Sequence, residues 1–209
     1  MGEPGAGRAG LSTSAEAAWV RLHHGVDPGR VLFLRPWLRI AWLCARPLRA
    51  VPPMAVTVLG AVLALDALLL AADQPWVALA LVLVATWCDA LDGAIAVVAD
   101  RASGRGAIAD KVADRVADTA FALTIWRCGA PLWLAILAAA ISLAHEAIRE
   151  VLGGARRSRI TVAERPTRVI CTVLATGAAG VSTAAWPATV CAAVWVGLGV
   201  IGVAQVARP

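Results

Sequence analysis

The sequence predicts an all-α integral membrane protein, a bundle of six transmembrane helices preceded by an amphipathic helix in the membrane interface. Of the 209 residues, 60% are hydrophobic and only 16% are charged, whereas a soluble domain is about half apolar and a quarter charged. The apolar residues form blocks of about 20, the length that crosses a hydrocarbon core of about 30 Å. Basic residues cluster in alternate gaps between the blocks, as the positive-inside rule expects.

The six apolar blocks set the predicted spans. We expect these at residues 54–72, 76–99, 107–126, 132–152, 167–185 and 188–206. Six crossings with basic residues in alternate gaps place both termini in the cytoplasm. Basic residues on the cytoplasmic side of the membrane therefore account for the formal net charge of +5. No nucleic-acid partner is expected.

The region before the first block has two parts. Residues 1–30 are mostly small and polar, which predicts disorder, and no apolar signal-peptide core follows the first of them directly. Residues 31–50 interrupt a Leu- and Trp-rich run with arginines, which predicts an amphipathic interfacial helix or a basic juxtamembrane anchor. Residues 51–209 then form the six-span domain. The five cysteines are widely spaced and predict neither a zinc site nor a disulfide framework.

Six aspartates lie where the neighbouring residues predict lipid, in the segment CDALDGAIAVVADRASGRGAIADKVADRVAD, residues 88–118. Asp89 and Asp92 are three apart and share a helix face. The second stripe has a spacing of four and comprises Gly106, Asp110, Asp114 and Asp118. A short turn between the two helices lets them run antiparallel, so that the acidic faces meet.

Such a carboxylate cluster needs compensating positive charge, because an isolated buried charge costs several kcal/mol or more. Lys111 and Arg115 are the only basic residues that we expect near it. Hard oxygen ligands favour Mg²⁺ or Mn²⁺, and this many oxygens suit two ions. Gly93 and Ala96 leave the face beside Asp92 bare, either for the approach of a nucleotide or only for close helix packing. Asp66, within the first block, receives no predicted role.

The acidic run resembles the signature of the CDP-alcohol phosphatidyltransferase family, in which two aspartates and a glycine precede an Ala-Arg pair, a glycine and two further aspartates. The positions that match at the family's spacing are Asp89, Asp92, Gly93, Ala96, Gly106, Asp110 and Asp114. The resemblance implies that Asp89, Asp92 and Asp110 bind two metal ions, and that Asp114 is both a ligand and the general base. It also implies transfer of a phosphatidyl group from a CDP-linked donor, CDP-diacylglycerol, to an alcohol with release of CMP, in phospholipid biosynthesis. A homodimer follows from the same resemblance.

Val97 departs from this signature. The family has an arginine at this position, and that arginine is associated with the CDP phosphates. Arg101 or Arg105 can reach back toward the phosphates, or both can simply mark the cytoplasmic side. The entry to the first span, PPMAVT, is similar to a family segment that would bring Thr57 to the nucleotide, although Thr57 can instead bond within its own helix. The predicted nucleotide-binding residues are Gly93, Ala96, Gly106, Arg101 and Thr57.

Residues 155–168 look like a stretch of actinobacterial family members that make phosphatidylinositol phosphate. The resemblance implies that Arg165 and Arg168 bind the phosphate of a phosphorylated acceptor, because guanidinium groups bind phosphate in bidentate fashion. The alternative is a basic loop near anionic lipid. His145 and Glu146 either line the same cavity or belong to the packed bundle.

Two rival functions remain open at this point. A catalytically impaired family member acting as a binding or scaffold protein is suggested by Val97. A membrane metal-ion transporter also needs carboxylates within the membrane, although transporters favour midplane sites and internal repeats. The bias toward Ala, Arg, Val and Trp indicates a bacterial protein, which we expect in the plasma membrane.

Overall fold

The computed structural model describes residues 34–101, 104–153 and 161–208, and these form seven helices without a strand. The helices are α1 (Leu34–Ala45), α2 (Pro53–Leu70), α3 (Pro75–Val98), α4 (Gly104–Arg127), α5 (Leu132–Leu152), α6 (Arg165–Val181) and α7 (Trp186–Ala207). The prediction of an all-α fold is confirmed. The predicted disorder of residues 1–30, and Arg156, Arg157 and Arg159, lie outside the described residues.

Proline and glycine set the boundaries of several helices. Proline occupies one of the first two positions of α2, α3, α6 and α7, where its missing N–H group removes no helical hydrogen bond. The turn between α4 and α5 contains Gly129, whose φ of 110° is strained for any residue with a side chain. Gly153 ends α5 with a φ of 55°.

Four of these helices are long and apolar enough to cross a membrane, namely α2, α3, α5 and α7. Helix α4 carries several charges, and α6 has only 17 residues, starting at Arg165 and ending at Val181, earlier than the expected residue 185. Helix α1 lies within the predicted interfacial segment and packs against α3. The six-span topology and the interfacial position of α1 thus stay predictions.

Small side chains form most of the core, which suits helices that pack closely without a hydrophobic driving force. Buried residues, most of them small, recur every three or four positions along α2 and the first half of α3, for example Ala64, Ala67, Ala78, Val82 and Ala85. The larger core residues include Phe121 and Trp195, and the Trp195 indole N–H donates to Ser142 Oγ over 2.8 Å, which ties α7 to α5. Large apolar side chains cover the outside of the spans, as a lipid environment requires.

The arrangement of the helices creates a cleft at one end of the bundle. Helix α4 contacts α2, α5, α6 and α7, whereas α3 and α4 make little direct contact among the described residues. Helix α6 packs against both α3 and α4. The N-terminal ends of α2, α4 and α6 therefore meet the C-terminal end of α3, and the acidic segment lies where they meet.

Candidate active site

Helix α3 contributes the first two aspartates of the acidic segment. Asp92 is buried, with only 4% of its surface exposed, and it accepts a hydrogen bond of 2.5 Å from Thr57 Oγ1 of α2. The same hydroxyl lies 3.1 Å from the Pro53 carbonyl one turn earlier. Thr57 therefore bonds within its own helix, as one of the two interpretations from sequence expected, and it also contacts the acidic cluster, while its contact with a nucleotide stays a prediction.

Helix α4 completes the cluster. One oxygen from each of Asp89, Asp110 and Asp114 lies within 4.8 Å of the other two, so the three carboxylates can hold a metal ion. All three are half-buried, and oxygen ligands of this kind suit a hard divalent cation. The chemistry of the donor set therefore fits the predicted Mg²⁺ or Mn²⁺. Asp92 lies outside this group of three but lines the same cavity as Asp89 and Asp114.

Arg165, the first residue of α6, lies between the two acidic helices. Its Nη1 is 2.8 Å from Asp89 Oδ1, and the same nitrogen is hydrogen-bonded to Asp114 Oδ1. Its Nε is buried and has no hydrogen-bond partner among the described residues. A buried donor without a partner is costly, and so Arg165 has capacity for one more acceptor. The stripes on α3 and α4 meet through this arginine.

The expectation that only Lys111 and Arg115 lie near the aspartates is wrong. Lys111 instead pairs with Glu150 at 2.6 Å, whereas Arg115 does lie near an aspartate, 3.9 Å from Asp118 Oδ2, and is also 3.5 Å from a Glu146 oxygen. The cations that contact the acidic segment most closely come from α6, about 50 positions later in the chain. Sequence spacing signals contacts within a helix or across a short turn, and it carried no signal for these.

A second cavity, of about 160 Å³, opens beside Asp92 and Asp110. All five predicted nucleotide-binding residues line it, namely Thr57, Gly93, Ala96, Arg101 and Gly106. A Cβ atom built on Gly93 would meet no atom within 4 Å, so this glycine faces open space and is not needed for helix packing. The prediction of a bare face beside Asp92 is thus consistent with the geometry.

The end of α3 brings Arg101 to this cavity. The Arg101 N–H donates to the Ala96 carbonyl over 2.8 Å, the Asp100 N–H donates to Val97 over 3.2 Å, and Asp100 has a φ of 53°. These bonds form a Schellman motif, which reverses the chain at a helix end. Val97 and Arg101 both line the cavity. The side chain of Arg105, the other candidate to replace the family's arginine, is outside the described residues.

Arg168 occupies different surroundings from Arg165. It is 2% exposed, and its terminal nitrogens contact Asp118, Glu146 and the Ala163 carbonyl. It is not among the described residues that line either cavity. His145 is fully buried and hydrogen-bonded to Thr161 Oγ1 at 3.0 Å, as expected for a histidine within the packed bundle.

Comparison with known protein families gives one decisive result. A family model described as CDP-alcohol phosphatidyltransferase matches residues 50–204. The chain belongs to the CDP-alcohol phosphatidyltransferase family. Neither the curated proteins nor the solved structures gave a match to the chain. The resemblance to the type that makes phosphatidylinositol phosphate is not confirmed.

Membership of this family identifies the chain as an enzyme, a transferase of substituted phosphate groups in phospholipid biosynthesis. The family activity is transfer of a phosphatidyl group from a CDP-alcohol, and family members use divalent metal ions. The apolar helices agree with a membrane protein. The carboxylate group at Asp89, Asp110 and Asp114 agrees with the use of metal.

Proposed function

We propose that this enzyme transfers the phosphatidyl group of CDP-diacylglycerol to an alcohol, releasing CMP. The observation that carries the proposal is the position of the three clustered carboxylates, Asp89, Asp110 and Asp114, beside a cavity walled by Gly93 and Arg101. The cavity offers a bare helix face for a nucleotide and a cation for its phosphates. The acidic cluster lies next to it, where the bond to phosphorus would be exchanged.

Asp89, Asp92, Asp110 and Asp114 would hold the divalent ions, and the proposal assigns two ions, Mg²⁺ or Mn²⁺, to each subunit. A bound divalent cation offsets the negative charge of a diphosphate and of the departing CMP. Thr57 keeps Asp92 oriented through its 2.5 Å hydrogen bond. The Thr57 hydroxyl thus orients the Asp92 carboxylate. Among the described hydrogen bonds and ion pairs, no basic residue contacts Asp92.

Asp114 is the proposed general base. Its carboxylate takes the proton of the acceptor hydroxyl as the acceptor oxygen forms a bond to the phosphorus of the phosphatidyl group. The bond between that phosphorus and the bridging oxygen of CMP breaks, and CMP leaves with the electron pair. General-base catalysis of this kind contributes roughly 10²- to 10⁴-fold.

Arg165 is the proposed contact for a phosphorylated acceptor. Arg165 lines the cavity, and its buried Nε has no hydrogen-bond partner among the described residues, so a shift of the side chain would let it donate to an acceptor phosphate. This arrangement would bring the acceptor hydroxyl close to Asp114. A plain polyol acceptor, which carries no anionic group, does not need this donor.

The membrane arrangement is also a proposal. We assign six spans, α2 to α7, to residues 51–209, with α1 in the interface, both termini in the cytoplasm and the cleft at the cytoplasmic face of a bacterial plasma membrane. The bundle end that holds the cleft receives the N-terminal end of α2 and the loop before α6, which are flanked by arginines. A homodimer completes the proposed assembly.

Purified protein in detergent, supplied with Mg²⁺, CDP-diacylglycerol and a panel of acceptors, tests the function. The panel contains inositol phosphate, glycerol phosphate, inositol, glycerol and serine. We expect CMP in equal amount to one lipid product, with a phosphorylated acceptor giving the highest rate. Binding of CDP without any CMP release from any acceptor would contradict the proposal and favour the binding or scaffold function that Val97 suggests.

A further inference from the structure

Arg168 binds three groups from three parts of the chain and also lies 3.5 Å from His145 Nδ1. Nη1 contacts Asp118 of α4, and Nη2 is 2.9 Å from Glu146 Oε1 of α5 and 3.0 Å from the Ala163 carbonyl. Asp118 is itself 2% exposed. A buried guanidinium with this set of partners fixes distances between helices, because removing one member of a buried ion pair leaves the other charge buried without a partner.

The segment before α6 is held from the other sides as well. Glu164 accepts from Arg149 Nη1 at 2.9 Å and from the Thr161 N–H at 3.0 Å. The Val162 N–H donates over 3.1 Å to Gln205 of α7. The segment therefore has contacts to α5 and α7, and through Arg168 to α4, just before the chain reaches Arg165.

Two Asp–Arg pairs connect α4 and α6. Asp114 and Asp118 are four apart on α4, while Arg165 and Arg168 are three apart on α6, so each set lies on one helix face. Arg165 lines the cavity with Asp114, and Arg168 lies beneath it with Asp118. We call Asp118 and Arg168 the inner pair, and Asp114 and Arg165 the outer pair. Because the inner pair joins α4 to α6 one turn from Arg165, it can control whether Arg165 reaches the acidic cluster.

We propose that Arg168 is a positioning residue for Arg165, through Asp118 and the Ala163 carbonyl, and that it does not itself touch the acceptor. The proposal rests on the proposed function, in which Arg165 binds the acceptor phosphate. It replaces the acceptor-binding role that the sequence suggested for Arg168. Both terminal nitrogens of Arg168 are occupied within the protein, whereas Arg165 keeps a free Nε.

A double-mutant cycle separates positioning from direct contact. The variants are Arg165→Gln, Arg168→Gln and both together, and the readout is kcat/KM for the phosphorylated acceptor. We expect Arg168→Gln alone to lower this value about tenfold, and to change it less than about twofold when Arg165 is already Gln, because residues that act through one another are not additive. Independent, multiplying losses would overturn the proposal, since a direct contact with the acceptor acts without Arg165.

A conservative variant keeps the test valid if Arg168→Gln does not fold. Arg168→Lys retains a charge beside Asp118 but cannot hold Asp118, Glu146 and the Ala163 carbonyl in the same planar geometry. We expect it to fold, to lose part of the acceptor kcat/KM, and to show the same lack of additivity with Arg165→Gln. Full additivity in this second cycle would equally overturn the proposal.

A binding measurement distinguishes failure of this proposal from failure of the proposed function. Arg165 contacts Asp89 and Asp114, which also belong to the carboxylate group that can hold an ion. Freeing those oxygens should strengthen Mn²⁺ binding, measured by electron paramagnetic resonance without substrates. We expect the Mn²⁺ affinity to rise several-fold in Arg165→Gln and by less in Arg168→Lys, with no further rise in the double variant.

The two kinds of failure are distinguishable. Absence of CMP release would contradict the proposed function, whereas unchanged Mn²⁺ affinity in Arg168→Lys would contradict the positioning role of Arg168.

Discussion

Two aspartate–arginine pairs connect α4 to α6, and their surroundings differ. Asp114 and Arg165 line a cavity and are respectively 26% and 21% exposed at the side chain. Asp118 and Arg168 are 3% and 2% exposed, and Glu146 and a backbone carbonyl close off the arginine. Arg165 is also shared between Asp114 and Asp89, the latter on α3, whereas Arg168 has no contact with α3 among its described hydrogen bonds and ion pairs.

The comparison shows how the same two residue types serve different purposes. The buried pair holds helices in place and leaves little room for a ligand, although its Asp118 Oδ1 has no hydrogen-bond partner among the described residues. A half-exposed pair with an unused donor can exchange partners when an ion or a substrate arrives. The outer pair is therefore the one to which we assign chemistry, and the inner pair the one to which we assign geometry.

The largest expected difference between the two pairs comes from replacing Asp114 or Asp118 by Asn. Asp114→Asn keeps the shape of the side chain but cannot take a proton, so we expect at least ~10²-fold loss in kcat that added Mg²⁺ does not restore. Asp118→Asn should retain kcat within about tenfold of the wild-type value. It should lower the melting temperature more than Asp114→Asn does, because it weakens the buried pair of Asp118 and Arg168. CMP release at saturating Mg²⁺ and thermal unfolding in detergent measure the two. Near-normal turnover in Asp114→Asn would show that Asp114 is not the base.

Arg165→Gln tests whether the arginine of the outer pair binds the acceptor phosphate. Hydrogen bonds to charged groups contribute about 1.5–3 kcal/mol, so the KM for a phosphorylated acceptor should rise roughly 10- to 100-fold. The KM for the CDP-lipid should stay near its wild-type value. Arg127→Gln is the matched control, since Arg127 lies at the other end of α4, 4.0 Å from Asp73. An unchanged acceptor KM in Arg165→Gln would indicate an uncharged acceptor.

Gly93→Ala tests the open cavity beside the outer pair and has the smallest expected effect. The added methyl group would meet no protein atom within 4 Å, and alanine favours a helix by about 0.5–1 kcal/mol over glycine. Thermal stability should therefore be unchanged or slightly higher. The donor KM should rise about fivefold, since a misfitting methyl group costs roughly 1 kcal/mol or more in a pocket. Gly177→Ala, which also meets no atom within 4 Å but lies on α6 away from the cavities, should leave the donor KM unchanged. Equal donor KM values for both variants would place the nucleotide elsewhere.

The local part of the site could be predicted from the sequence. Spacing within one helix and across a short turn determines which side chains share a face, and the predicted nucleotide-binding residues Gly93, Ala96 and Gly106 line one cavity. The apolar blocks likewise marked α2, α3, α5 and α7, which are long and apolar enough to span a membrane.

The contacts between α4 and α6 could not be predicted in the same way. Which arginine meets which aspartate depends on the rotation of α6 and on its starting residue, Arg165, which lies two positions before the predicted start. Both are set by packing against α3, α4 and α7, and hence by contacts remote in sequence. The resemblance of residues 155–168 therefore gave Arg165 and Arg168 one shared role, and only the fold shows that they differ in burial.

The central claim is that the acidic cluster supports CMP release with a divalent cation. The most direct test is CMP release from CDP-diacylglycerol by the wild-type protein in the presence of the acceptor that gives the highest rate, measured while free Mg²⁺ is raised from a chelated, metal-free start. The account predicts no release in excess chelator, a saturable rise as Mg²⁺ or Mn²⁺ is added back, and loss of that rise when Asp89 and Asp110 are both replaced by Asn. Full CMP release in excess chelator would contradict it.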